Sequence, residues 1–275
     1  MTISDQEIDP VAGAAETVAT EADGGVHPWR RYVALGDSFT EGIGDPEAAS
    51  PGGHRGWADR VAEVLGSTAP DFAYANLAIR GRLLARIVDE QVEPAVALRP
   101  DLITISAGGN DVIRPGSDPD ALAARLDPAL ARLASTGATL VLFTGVDVAF
   151  SPVFRRLRGR TAVYNENLRV LAAQHGALVA DQWGLKAIQE VSMWAVDRLH
   201  LNPSGHHEVA RMVLEVLGVP NDLEPRKPEP LGAPTWRQAR TEDLVWAREY
   251  LVPWVVRRLR RTSSGDGVLP KRPGF

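Results

Sequence analysis

The stretch Tyr32-Val33-Ala34-Leu35-Gly36-Asp37-Ser38-Phe39-Thr40-Glu41-Gly42 decides how this chain is read. A short apolar run ends in Gly-Asp-Ser, and a second glycine follows four residues after the serine. A buried strand that stops at a small residue and a hydroxyl delivers a side chain to the carboxyl edge of an α/β sheet, where ligands sit. Taken alone, Gly36-Asp37-Ser38 reads first as ordinary turn chemistry, because all three residue types favour turns. The chain on either side decides between a turn and a nucleophile.

Downstream, residues 43–56 are dense in Gly and Pro and read as a long loop, of the kind that forms a lid or a substrate wall. Trp57, Val61, Val64 and Leu65 then share one helical face. Phe72 to Ala78 is a second strand, running into Ile79-Arg80-Gly81. Arg82 to Leu98 has a helical stripe of Leu83, Leu84, Ile87, Val88, Val92 and Val96. Leu102 to Ser106 is a third strand, followed by Ala107-Gly108-Gly109-Asn110-Asp111. Asp118 and Pro119 open a helix as N-cap and first residue, and Gly137 closes it. Thr139 to Phe143 is a fourth strand. A basic loop over 149–160 carries Arg155, Arg156, Arg158 and Arg160, and Thr161 to His175 is helical. Leu178 to Ala180 is a short fifth strand, and a helix runs from about Pro203 to Leu217. Strands alternating with helices predict an α/β, three-layer αβα fold with a parallel sheet covered on both faces.

Composition divides the chain further. Residues 1–28 are acidic and aperiodic and are expected to form a disordered arm. Residues 29–218 form the main domain. Residues 219–234 hold five prolines and read as a semi-rigid linker. A Trp/Arg-rich, helical C-terminal appendage spans 235–275. It carries Trp236, Trp246 and Trp254, a helix from about Trp236 to Leu251 that Pro253 kinks or restarts, the run Arg257-Arg258-Leu259-Arg260-Arg261 closing the helical part, and an irregular end from Thr262. The tryptophans read as anchors docking the appendage on the main domain; the alternative is a basic aromatic helix meeting an anionic membrane surface.

Several function classes drop out. With no cysteine among 275 residues, disulfides, thiolate metal sites and cysteine nucleophiles are excluded. The net charge of −5 is uneven, with eleven basic and seven acidic groups in 220–275. The main domain has no concentrated basic stripe, so nucleic acid is not an expected partner. No run of about 18 apolar residues predicts a spanning helix. No secretory signal pattern is visible, and a cytoplasmic protein is expected. There is no Gly-Lys-Ser/Thr phosphate loop and no His-Glu-x-x-His pair. His206 and His207 are adjacent, so on a helix they point about 100° apart and do not form a metal site. Neither a metal nor a cofactor is expected. Thr40 breaks the Gly-x-Ser-x-Gly nucleophile elbow, which disfavours an α/β-hydrolase of that type.

Ser38, Gly81 and Asn110 follow the first three strands, and Asp197-Arg198-Leu199-His200 precedes the last helix. In an open parallel sheet all four blocks belong on one edge. A serine hydroxyl needs a base, and a histidine base needs an acceptor that fixes its tautomer. Asp197 stands three residues before His200, within reach of its ring. The backbone N–H groups of Ser38 and Gly81 and the amide of Asn110 offer donors for an oxyanion. Bland readings accompany each: Gly81 as a helix-entry glycine, Asn110 as an Asx turn, His200 as a surface histidine. Asp37 and Asp111 read as structural carboxylates that accept loop N–H bonds.

These blocks together resemble the SGNH hydrolases of the GDSL esterase/lipase superfamily. The matching residues are Gly36-Asp37-Ser38 with Gly42, Asn76 through Gly81, Gly108-Gly109-Asn110-Asp111, and Asp197-Arg198-Leu199-His200. The resemblance covers about residues 30–218 and implies a flavodoxin-like sheet of five parallel strands and ester hydrolysis without a metal. It carries Ser, Gly, Asn and His onto Ser38, Gly81, Asn110 and His200, with Asp197 as the triad acid. It implies a small-molecule ester substrate without selecting one, and it says nothing of the appendage. The expectation is a serine esterase. Acyl transfer to a sugar or other alcohol, and a non-catalytic binding protein on the same fold, are the alternatives.

Overall fold

Every side chain from Tyr32 to Leu35 is fully buried, and the sheet that surrounds them explains why. The computed structural model describes residues 27–227, 236–253, 256 and 262–275. Nearly all of the acidic arm, the second half of the Pro-rich linker, Trp254 and Arg257 to Arg261 lie outside the described residues. Strand β1 (Arg31–Leu35) pairs in parallel with β2 (Ala73–Asn76) on one side and β3 (Leu102–Ile105) on the other. β4 (Thr139–Phe143) and β5 (Leu178–Ala180) complete a five-stranded parallel sheet in the order β2-β1-β3-β4-β5. A strand covered on both faces must be apolar throughout, which is what the Tyr-Val-Ala-Leu run supplies.

The connecting helices are α1 (Ser38–Glu41), α2 (Gly56–Ser67), α3 (Leu84–Ala97), α4 (Gly109–Val112), α5 (Pro119–Ala134), α6 (Arg158–Gln174) and α7 (Pro203–Val216). Period-two alternation sorts the sheet residues into two cores. Val33, Leu35, Ile103, Ile105, Leu140 and Leu142 face α3, α5 and α6. Tyr32, Ala34, Leu102, Val141 and Phe143 face α2 and α7. The result is the expected three-layer architecture. The strand order reverses beside β1, between its neighbours β2 and β3, which opens a crevice at the carboxyl end of β1.

Local chemistry moves some boundaries. α3 starts at Leu84 rather than Arg82, because Arg82 N–H closes the turn onto Ile79 O at 3.4 Å and Leu84 N–H donates to Asp111 at 2.8 Å. α6 starts at Arg158 rather than Thr161. Its first turn is held by tertiary contacts, Arg158 to Asp147 and Arg160 to the carbonyls of Val112 and Arg114. Residues 219–226 run along α7, with His207 bonded to Glu224 O and Arg211 to Leu223 O.

In the appendage, α8 (Trp236–Trp246) continues as a π-helical turn over Ala247–Leu251. Val252 and Pro253 continue the helix; the proline ring crowds the carbonyl four residues back, inside the π-helical turn, and a widened turn relieves that clash. Residues 262–275 form no helix or strand, as expected, yet they are not free. Arg272 makes an antiparallel bridge to Asn76 of β2, and Lys271 is buried against α2.

Candidate active site

β1 feeds Gly36 into a space that excludes a side chain: a Cβ there would run into Thr40 Oγ1 and stand 2.8 Å from Ser106 O. Gln91 of α3 clamps the glycine at both ends, accepting from its N–H and donating to its carbonyl, each at 2.8 Å. Asp37 then caps α1 through the Phe39 N–H at 3.1 Å. Ser38 thereby becomes the first residue of α1, at the mouth of the crevice.

His200 reaches Ser38 from across 162 positions of sequence, with Nε2 3.0 Å from Oγ. Its Nδ1 is 2.6 Å from Asp197 Oδ2. The ionised carboxylate only accepts, so Nδ1 carries the proton and Nε2 offers its lone pair to the serine hydroxyl. Asp197 Oδ1 accepts the backbone N–H groups of Leu199 and His200, both at 3.0 Å. Burial, the largest influence, pushes the Asp197 carboxyl up; the His200 ring and the two N–H groups outweigh it, so the net shift is down and the group stays charged. Between acid and base, Arg198 adopts φ 56°, a left-handed conformation costly for a non-glycine residue. α8 braces this loop: Trp246 Nε1–H donates to Asp197 O at 2.9 Å, and Arg198 pairs with Asp243 at 2.7 Å. Trp246 therefore docks as expected.

Gly81 occupies the turn after β2 with φ 72°, where any other residue is strained. Among the described residues, neither its N–H nor that of Ser38 has a protein acceptor. Asn110 of α4 lines the cavity beside Ser38, with Nδ2 2.9 Å from Asp37 Oδ2 and 3.1 Å from Arg82 O. Turning the amide over would set its oxygen against two acceptors, so the nitrogen belongs there. Both amide hydrogens are thus engaged in the resting site, a detail the sequence does not carry. Asp37 itself is pushed up to about 6, by burial first, with the Phe39 N–H and His200 opposing and Asp111 and Glu41 adding to the rise. Asp37 and Asp111 both accept backbone N–H groups, in the first turns of α1 and α3 and not in loops.

A cavity of about 210 Å³ opens beside Ser38, Asn110 and His200. Its walls are mostly apolar, among them Val112, Phe143, Val146, Phe154, Leu157 and Trp194. The 149–160 loop contributes Phe154 and Leu157 to this wall and turns its arginines elsewhere, two of them onto Asp147 and backbone carbonyls. His206 and His207 diverge: His206 accepts from Trp57 N–H and donates to Ile43 O, and His207 meets Glu224 O. Gln91, Asp59 and Lys271 were not singled out in the sequence; no motif or period marks them.

Proteins of known structure share this architecture. The model of the GDSL-like lipase/acylhydrolase family matches residues 34–208. An α/β hydrolase enzyme, LAE5, from the metagenome of Lake Arreo, Spain, is 25% identical with a TM-score of 0.60, over 70% of this chain and 97% of its own. A tryptophan-to-isoleucine variant of Axe2, an acetyl xylan esterase from Geobacillus stearothermophilus, is 18% identical with a TM-score of 0.58, over 70% and 96%. TesA is 20% identical with a TM-score of 0.54, over 68% and 97%. No curated protein matches by sequence.

Proposed function

The chain belongs to the GDSL-like lipase/acylhydrolase family, and from that premise we propose that it hydrolyses esters through Ser38, His200 and Asp197. The observation that carries this reading is the hydrogen-bonded series Asp197–His200–Ser38 at the mouth of an apolar cavity.

His200 Nε2 takes the Ser38 proton as Oγ attacks the ester carbonyl carbon. Asp197 holds the ring in the required tautomer and stabilises the imidazolium. The tetrahedral oxyanion is met by the Ser38 and Gly81 N–H groups and by the Asn110 amide, one of whose hydrogens leaves a resting partner to reach it. His200 returns its proton to the departing alkoxide, which leaves as the alcohol. A water, deprotonated by the same nitrogen, then attacks the acyl-serine and restores the hydroxyl. The apolar walls favour an acyl group that is itself apolar, which buries hydrocarbon at roughly 25 cal/mol per Å².

Ser38→Ala is expected to lower kcat on a short p-nitrophenyl ester by at least about a thousandfold with the melting temperature unchanged. Retention of full activity in the folded variant would remove Ser38 from the mechanism.

A further inference from the structure

We propose that residues 263–272 are a positioning strap that fixes α1 and the Gly81 turn relative to each other, with Lys271 as its anchor. The proposal rests on the hydrolase reading above and adds residues that touch neither substrate nor reacting atoms.

Lys271 is buried, its side chain and that of Asp59 each 2% exposed. All three of its N–H donors are used: Asp59 Oδ1 at 2.9 Å, His54 O at 2.9 Å and Arg55 O at 2.8 Å. The two carbonyls close the long loop that leads away from α1. Asp59 Oδ1 also accepts the Tyr74 hydroxyl at 2.9 Å. That hydroxyl accepts from Asn76 Nδ2 at 3.0 Å, and the same amide donates to Thr40 O at 2.8 Å, within α1. A buried polar series therefore runs from Lys271 to the helix that begins with Ser38.

A second route meets it. The backbone of Arg272 pairs with that of Asn76, its carbonyl accepting Asn76 N–H at 2.9 Å. The turn over 263–266 lies against the Gly81 turn: a Cβ on Gly81 would run into Ser263 Oγ, and one on Gly265 into Arg80 O. Arg80 N–H donates to Glu41 Oε2 at 2.6 Å, and its guanidinium grips the same carboxylate. The strap thus closes a ring that includes both α1 and the Gly81 turn. Displacing reacting groups by about 1 Å costs on the order of 10²-fold in rate, so a strap of this kind acts on turnover and not on stability alone.

The test uses the full chain with Lys271→Met and, independently, Gly265→Val, which drives the turn off Arg80. Each variant is assayed on a short p-nitrophenyl ester at a temperature where circular dichroism shows it folded. Amide hydrogen exchange is followed over 36–43, 77–84 and, as reference, α7. The expected result is a kcat at least about tenfold lower with KM within about threefold, and faster exchange in both site segments but not in α7. Unchanged exchange in those segments overturns the proposal whatever the activity. Faster exchange with kcat within about twofold also overturns it, leaving the strap a purely stabilising element. A wild-type chain without Ser38-dependent hydrolysis would strike the hydrolase reading instead, and the exchange data would still decide whether the strap holds the two segments.

Discussion

The nucleophile side and the base side of the site are each backed by chain beyond residue 235, but by different chemistry. Behind Ser38 and Gly81 stand Lys271 and Asp59, each 2% exposed, tied through Tyr74 and Asn76. Behind His200 stand an indole N–H and an ion pair, Arg198–Asp243, whose side chains are 34% and 61% exposed. Burial sets the worth of these contacts. An ion pair in solvent contributes little, whereas removing one partner of a buried pair strands the other charge. The base side can accept weak bracing because Asp197 orients His200 within three residues, through its own carboxylate and two local N–H bonds. On the nucleophile side the local device is a single N-cap bond, from Phe39 N–H to Asp37, and further support comes from the far end of the chain, with Lys271 reaching His54 O across 217 positions.

The largest expected effect tests that dependence. Asp59→Asn removes the counter-charge from buried Lys271 and is expected to cost about 3–5 kcal/mol of stability by urea denaturation. A loss no larger than that of an exposed pair would break the contrast. Asp37→Asn comes next and reads the electrostatic cost of the nucleophile side. Its folded value of about 6 lies above the unfolded value near 3.8. The native state therefore holds a proton that the unfolded chain releases between about pH 4 and 6, and wild-type stability falls as pH rises through that window. Relative to wild type, the Asn variant gains up to about 3 kcal/mol at pH 7.5 and nothing at pH 4. The same difference at both pH values would show that burial of this carboxylate carries no such cost. Smallest is Asp243→Asn on the base side, expected to change stability by less than about 0.5 kcal/mol, with kcat unaltered.

The fold was legible because a doubly covered strand must be apolar, and three such runs, with a less buried strand at each edge, alternate with helical stripes. Three short blocks at strand ends and a fourth before the last helix were enough to locate Ser38, Asn110 and His200, which line one cavity. The strap was not legible for a physical reason. Lys271 reads as a solvated cation near a Pro-rich end, and its pairing with Asp59 leaves no period or spacing in the sequence. Gln91 is equally silent: it occupies a helix face like any polar residue, yet it clamps Gly36 at both N–H and carbonyl. The committed amide of Asn110 was hidden likewise, since its partners Asp37 and Arg82 come from separate loops.

The bridge between Arg272 and Asn76 has a consequence for the molecule among its neighbours. β2 is the outermost strand on its side of the sheet, and an open parallel sheet presents there a row of N–H and C=O groups to any passing strand. The bridge occupies that row at Asn76. Pro270 and Pro273 flank the bridging pair and bring no N–H of their own. The covering chain therefore fills the edge at this point, where an open row of N–H and C=O groups would otherwise face another strand.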